Sequence, residues 1–204
     1  MAEDVTLAIL AGGEGSRMGR PKGLLTLGGR PILQYLLDRF NWPGPTCLVT
    51  SPGREHPPGW QRFDRELVDP VAGQGPLRGV LTALEGLKTP LLAVVTVDMP
   101  GIGPEHLRDL LGRLRNCPQA RGLMYCRRVE GEDQIEPFPL ALRREAMPII
   151  SLRLSRGQFA LRGLVQESSL ETVLALQEWQ ATWTNLNEPA DVSRLTEDRK
   201  RQLL

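Results

Sequence analysis

The chain has 204 residues, with 41% hydrophobic residues, 21 glycines and 17 prolines. That length buries enough surface for a single domain, 1–204, without disulfide or metal staples. Lys+Arg (25) and Asp+Glu (24) leave a net charge of +1, which excludes a global basic field for nucleic acid or an anionic membrane, so any polyphosphate must be gripped locally. Cys47, Cys117 and Cys126 are odd in number and lack CxxC spacing, which indicates neither a disulfide framework nor a zinc site and fits a reducing cytoplasm. The first apolar run, Val5 to Ala11, follows Glu3 and Asp4 and is too short for a signal peptide, and no later run approaches the ~18 residues of a membrane span.

In chain order, Val5 to Leu10 reads as a first strand. Pro31 to Phe40, apolar at Ile32, Leu33, Leu36, Leu37 and Phe40, reads as a helix with Pro at its start. Asn41 to Asp64 is proline-rich surface loop around a strand at Thr46 to Thr50, and Glu66 to Val68 is a third strand. Pro76 to Leu87 has helical periodicity, and Leu91 to Val97 is an almost unbroken apolar run suited to a central strand covered on both faces. Pro104 to Arg115 is a helix with Pro and Glu105 at its start. Leu123 to Val129 and Phe138 to Leu142 are predicted strands, and Glu145 to Leu154 and Phe159 to Gln166 predicted helices. Thr172 to Thr184 holds the last strands, with Glu171 to Gln180 scoring also as helix, and Asp191 to Leu203 closes the chain as a helix. This alternation predicts an α/β fold with three layers and a mostly parallel central sheet, in which ligands bind beyond the carboxyl ends of the strands.

Directly after the first strand stands Leu10-Ala11-Gly12-Gly13-Glu14-Gly15-Ser16-Arg17-Met18-Gly19-Arg20-Pro21-Lys22. Glycines for unusual backbone angles, a hydroxyl, Arg17 and Lys22 are the parts of an oxyanion cradle. A Walker A loop is excluded because Lys22 follows Pro21 and precedes Gly23. A dinucleotide fingerprint from Gly13 would need Gly or Ala where Met18 stands, and Thr46 to Thr50 ends without a ribose-binding acid. Farther on, Asp98 follows the buried strand. A carboxylate there is costly unless paired or metal-bound, and Mg²⁺ is commonly held by one or two carboxylates plus substrate phosphates. Asp69-Pro70 opens a glycine-rich loop through Gly73, Gly75 and Gly79. Asn185 and Asn187, if extended, face the same way and offer amides to a metal, a phosphate or an acceptor.

These segments together resemble the molybdenum cofactor guanylyltransferases and, more broadly, the sugar-nucleotide-type nucleotidyltransferases. The resemblance rests on Leu10-Ala11-Gly12-Gly13, on Arg17-Met18-Gly19, and on Lys22 before Leu24-Leu25. It extends to Asp69 with Gly75-Pro76-Leu77-Arg78-Gly79, to Asp98-Met99-Pro100, and to Asn185-Leu186-Asn187-Glu188-Pro189-Ala190-Asp191. It implies a Rossmann-like, nucleotide-diphospho-sugar transferase-like domain that moves GMP from GTP to the terminal phosphate of molybdopterin with Mg²⁺. Molybdoenzyme-assembly proteins are further candidate partners.

The resemblance makes Arg17, Lys22 and Asp98 catalytic, and Asp98 the metal ligand. Leu10, Ala11, Gly12, Gly13, Gly15, Ser16, Lys22, Thr50, Asp69, Gly75 and Asp98 become nucleotide-binding, and Asn185 and Asn187 acceptor-binding. Gly12 favours GTP, because CTP-using relatives tend to carry Ala there. Three positions depart from the pattern: Thr50 stands where Asn is frequent, Glu136 before Pro137 where His is common, and Glu188 in place of Thr. Pro21-Lys22 is shared with cytidylyltransferases. Transfer from CTP to the same pterin, transfer from an NTP to a sugar phosphate, and a non-catalytic GTP-binding accessory protein are the alternatives. No general base is required, because an attacking phosphate is already an anion. His56 and His106 are accordingly expected at the surface, and the basic stretch Arg121 to Ser155 as a solvated charged face.

Overall fold

The computed structural model describes residues 3–13, 19, 21–166, 170–187 and 191. The apolar run Val5–Leu10 forms β1, buried at every position. Alternate side chains of a strand point to opposite faces, so β1 is covered on both and the domain has three layers. A two-stranded ribbon, β2 (Thr26–Leu27) and β3 (Arg30–Pro31), leads into α1 (Ile32–Phe40), whose buried stripe is Ile32, Leu33, Leu36 and Phe40. β4 (Thr46–Thr50) and β5 (Arg65–Val68) follow, then α2 (Gly75–Glu85) and the apolar β6 (Leu91–Thr96). α3 (Pro104–Asn116), β7 (Gly122–Val129), β8 (Glu132–Arg143), α4 (Met147–Ser155), α5 (Gly163–Gln166) and β9 (Glu171–Leu174) complete the order.

The sheet runs β5-β4-β1-β6-β8-β7-β9. β4 and β6 flank β1 in parallel and β5 is parallel to β4, while β8 is antiparallel to both β6 and β7, and β9 is parallel to β7. Only β8 therefore runs against the rest, in agreement with the predicted mostly parallel α/β domain. α2 packs on β1, β4, β5 and β6 and beside α4, and α3 packs on β7 and β8. From β1 the chain moves outward through β4 and β5, then returns to place β6 on the other side of β1. The connections leaving β1 and β6 therefore diverge and open a crevice at their carboxyl ends.

Several expected elements differ. β8 begins at Glu132 rather than Phe138, because its prolines are absorbed in a bulge: Tyr125 pairs with Glu136 and Met124 with Leu140, leaving Pro137, Phe138 and Pro139 without partners on β7. Prolines, lacking an N–H, are tolerated at such a break in the ladder. The helix expected over Phe159 to Gln166 is confined to α5. Glu145 to Leu154 divides into a 3-10 turn, Arg144–Ala146, and α4. Beyond β9 the chain forms a 3-10 helix, Gln177–Thr182, not a further strand. Of the helix predicted from Asp191 to Leu203, all but Asp191 lies outside the described residues.

No helix among the described residues is long and apolar enough to cross a membrane. The three cysteines are free, and burial pushes the Cys47 thiol up to about 12, which keeps it protonated at neutral pH. Arginines of the basic stretch are largely engaged internally. Arg128 pairs with Asp133, and Arg143 donates to the carbonyls of Leu114 and Ala120, capping the end of α3.

Candidate active site

A cleft of about 860 Å³ opens at the crevice between β1 and β6. Leu10, Gly12, Gly13, Lys22, Asp69, Gly75, Asp98 and Asn185, all expected at the site from the sequence, line it. Gly15, Ser16 and Arg17 lie outside the described residues. Ala11 and Thr50 do not line the cleft, contrary to expectation. The Ala11 N–H donates to the Val49 carbonyl (2.8 Å), and the Thr50 hydroxyl donates to Glu66 (2.9 Å). Strand alternation is the reason: Val49 and Ser51 face the cleft, so Thr50 faces away, toward a separate recess of about 250 Å³.

The centre of the site joins three distant parts of the chain. Lys22 begins a 3-10 helix after Pro21, and its Nζ donates to Asp98 Oδ2 (2.6 Å) and to Asn187 Oδ1 (3.1 Å). Asp98 lies just beyond β6, and its carbonyl accepts from the Leu186 N–H (2.8 Å). Leu186 is buried, so the two asparagines flank a fixed anchor: Asn185 lines the cleft and Asn187 reaches Lys22. The Asn187 N–H donates in turn to Asp191 Oδ2 (2.9 Å). One cation, one carboxylate and two amides are thereby assembled at a strand end.

Asp69 follows β5 on the opposite side of the cleft. It is 8% exposed, and its Oδ1 has no hydrogen-bond partner. Burial raises its carboxyl above the usual carboxylate range, the Thr82 hydroxyl and Arg78 pull it back, and Glu85 pushes it up again. An orphaned buried acceptor in a cleft calls for a donor from a ligand. Beside it, α2 begins at Gly75, whose φ of +65° suits glycine, and Pro76 occupies the first turn, where no N–H is needed. Gly73, Gln74, Gly75 and Pro76 line the cleft, so the positive end of α2 faces it, as an anion site requires.

Sequence reasoning missed Ser51. Its hydroxyl donates to the Gly12 carbonyl (2.7 Å), and a Cβ at Gly12 would stand 2.6 Å from that oxygen. The alternation from Val49 was a sufficient signal. Arg54, donating to the Gly13 carbonyl (3.2 Å), and Arg162, both cleft residues, carried no local signal. His106, expected at the surface, is fully buried. Its Nδ1 accepts from the Gly103 N–H (3.1 Å), its Nε2 meets the Thr182 hydroxyl (3.0 Å), and its ring packs on Trp179 and Trp183. Its helix turns it inward toward the 3-10 segment that follows β9. His56 is more than half exposed, stacked on Trp60 and paired with Glu66.

Among the described residues no three His, Cys, Asp or Glu side chains are grouped so that they could hold a metal ion by themselves. The oxygen donors of Asp98 and Asn185, both in the cleft, fit a hard cation that takes its remaining ligands from phosphates.

Residues 7–173 match the model of the MobA-like NTP transferase domain. A molybdenum cofactor guanylyltransferase from Xanthomonas euvesicatoria is 30% identical over 194 residues, covering 93% of each chain. One from Vibrio cholerae is 28% identical over 193 residues, covering 94% of this chain and 91% of its own. The crystal structure of molybdopterin-guanine dinucleotide biosynthesis protein A from Archaeoglobus fulgidus superposes with a TM-score of 0.76 at 22% identity, over 96% of this chain and 99% of that one. The last likeness concerns the fold.

Proposed function

The chain belongs to the MobA-like NTP transferase family, and on that premise we propose that it transfers GMP from GTP to the terminal phosphate of molybdopterin, releasing pyrophosphate. The observation that carries this reading is the bonded cluster of Lys22, Asp98 and Asn187 at the carboxyl ends of β1 and β6. The cluster combines a phosphate-neutralising cation, a hard-metal ligand and an amide in a cleft bordered by a helix N-terminus.

A phosphate oxygen of the acceptor attacks the α-phosphorus of GTP. The bond from the α-phosphorus to the bridging oxygen breaks, and pyrophosphate leaves with that oxygen. The attacking group is already an anion, so the protein supplies position and charge rather than a base. Lys22 exchanges its contact with Asp98 for the triphosphate. The backbone of Gly12 and Gly13 and the N-terminus of α2 provide N–H groups to phosphate oxygens. Asp69 offers its buried Oδ1 to a donor group of the nucleoside, and Asn185 and Asn187 hold the acceptor side. Asp98 would hold Mg²⁺ together with the phosphates, and the ion would supply neutralisation of the charge on the transferred group. Gly12 favours GTP over CTP through the resemblance, in which CTP-using relatives tend to carry Ala there; in this chain a Cβ at Gly12 would stand 2.6 Å from the Ser51 hydroxyl oxygen.

Thermal unfolding with Mg²⁺ and each of GTP, CTP, UTP and ATP tests the donor. A nucleotide at 100 times its Kd adds about 2.7 kcal/mol of stability, and GTP is expected to give the largest shift. A larger shift with CTP contradicts the choice of GTP. GTP binding without pyrophosphate release in the presence of molybdopterin contradicts catalysis and favours an accessory role.

A further inference from the structure

His106 is a buried polar group that the transfer chemistry does not use, and it stands where two parts of the site meet. One part is the loop 98–103 between β6 and α3, which starts with Asp98. The other is the segment 182–187 at the end of the 3-10 helix, which carries Asn185 and Asn187. Their backbones touch. The Leu186 N–H donates to the Asp98 carbonyl (2.8 Å), and a Cβ at Gly101 would stand 2.5 Å from the Thr182 carbonyl oxygen.

The loop has a fixed base. Arg39 on α1 donates from Nε to the Ile102 carbonyl (3.0 Å) and from Nη2 to the Gly101 carbonyl (3.0 Å), two bonds from one planar guanidinium. His106 refers the asparagine segment to that base. Its Nδ1 accepts from the Gly103 N–H (3.1 Å), so the ring proton of the neutral imidazole is on Nε2, 3.0 Å from the Thr182 hydroxyl oxygen. The hydroxyl gives its own proton to the Trp179 carbonyl (2.6 Å), which leaves it the acceptor toward Nε2. Trp183, the next residue of the segment, packs edge-on against the same ring and donates from Nε1 to the Phe138 carbonyl (2.9 Å). The imidazole thus bonds the end of the Asp98 loop on one side and the start of the asparagine segment on the other.

We propose that His106 is a positioning residue for the acceptor: through the Thr182 hydroxyl it holds the segment of Asn185 and Asn187 in register with Asp98. This rests on the reading of the two asparagines as the acceptor side of a nucleotidyl-transfer site. The ring is fully buried behind the cleft wall and acts only through Gly103 and Thr182. GTP, gripped by the glycine-rich turn and the start of α2 across the crevice, does not depend on this link.

The test compares Thr182→Val, which removes the hydroxyl at nearly constant shape, with Thr182→Ser, which keeps it. Thr182→Val is expected to raise the KM for molybdopterin by about fivefold to tenfold, the effect of one hydrogen bond, with the Kd for GTP within about twofold. Thr182→Ser is expected to restore most of the loss. In a His106→Phe background, Thr182→Val is expected to add little, because both changes break one link. Hydrogen exchange of the Leu186 amide reads the link without substrate and is expected to quicken by about tenfold in Thr182→Val. Equal weakening of GTP and molybdopterin, no rescue by Ser, or unchanged exchange at Leu186 overturns the inference. Should His106→Phe fail to fold, the two Thr182 variants decide alone. Faster exchange at Leu186 without GMP transfer to molybdopterin in the wild type overturns the functional reading alone. Transfer with an unchanged KM in Thr182→Val overturns this inference alone.

Discussion

Lys22 Nζ lies 2.6 Å from Asp98 Oδ2, although the two residues are 76 positions apart in the chain. Each side chain retains 18% exposure, so the pair is partly screened and contributes on the order of 0–1 kcal/mol to stability. In the proposed reaction the pair keeps the cation meant for phosphate and the carboxylate meant for the metal in register until substrate separates them. Lys22→Ala and Asp98→Ala are each expected to lose about 10²–10³ in kcat or more, with denaturation midpoints close to the wild type. Steady-state pyrophosphate release and urea unfolding of the same preparations check this. Loss of stability in proportion to loss of rate would assign the pair a structural role.

Asp69 carries the opposite balance. Its buried Oδ1 lacks a partner and burial raises its carboxyl, so the ionised form is a cost to the free protein. Asp69→Asn removes that charge at constant shape. It is expected to leave the fold as stable or more stable, by up to about 1–3 kcal/mol, while weakening GTP binding. Calorimetric titration and thermal unfolding read the two effects separately, and a destabilised variant with normal GTP affinity would contradict the assignment.

Gly12 and Ser51 form a coupled pair. A methyl group at Gly12 would stand 2.6 Å from the Ser51 hydroxyl oxygen, which itself donates to the Gly12 carbonyl. Gly12→Ala is therefore expected to displace Ser51 and lower GTP affinity, and Gly12→Ala combined with Ser51→Ala to recover part of it. A double-mutant cycle on Kd measures the coupling, expected at roughly 0.5–3 kcal/mol for residues in contact. Additive effects would show that the loss comes from the glycine backbone alone.

His106 gives the fold a pH dependence. Burial lowers its pKa, Glu105 and the Gly103 hydrogen bond oppose this, Arg39 lowers it further and Asp109 raises it. The unfolded chain takes up a proton near pH 6.5, whereas the folded chain does so only at lower pH. The unfolded state thus binds more protons in that window, and the stability present above about pH 6.5 falls as the pH drops toward the folded value. Urea midpoints between about pH 7.5 and 5.5 should decline more steeply for the wild type than for His106→Phe. That variant loses the bonds to Gly103 and Thr182 and is less stable at neutral pH. Equal slopes would place the titration elsewhere.

The parts of this molecule legible in the sequence are those encoded locally. Unbroken apolar runs gave β1, β4 and β6 to within a residue, and the glycine-rich turn and Asp98 stand where strands end. What stayed hidden depends on contacts between distant residues. The strand read from the sequence starts only at Phe138, yet pairing with β7 carries β8 back to Glu132 through a bulge at 137–139, which brings Glu136 to Arg127. His106 sits among charged neighbours on α3 and reads as surface, but Trp179 and Trp183, more than 70 residues later, cover it. Thr50 matches by its place in the family pattern, whereas strand geometry hands the cleft to Ser51. The Lys22–Asn187 contact spans 165 residues and leaves no trace in local pattern.

The central claim is transfer of GMP from GTP to molybdopterin. Its most direct measurement is Mg²⁺-dependent pyrophosphate release with GTP, CTP, UTP and ATP in turn, with and without molybdopterin. The account predicts release that requires both GTP and molybdopterin and that is largely lost in Asp98→Ala. Release that is faster with CTP, that proceeds without molybdopterin, or that is absent with every nucleotide would contradict it.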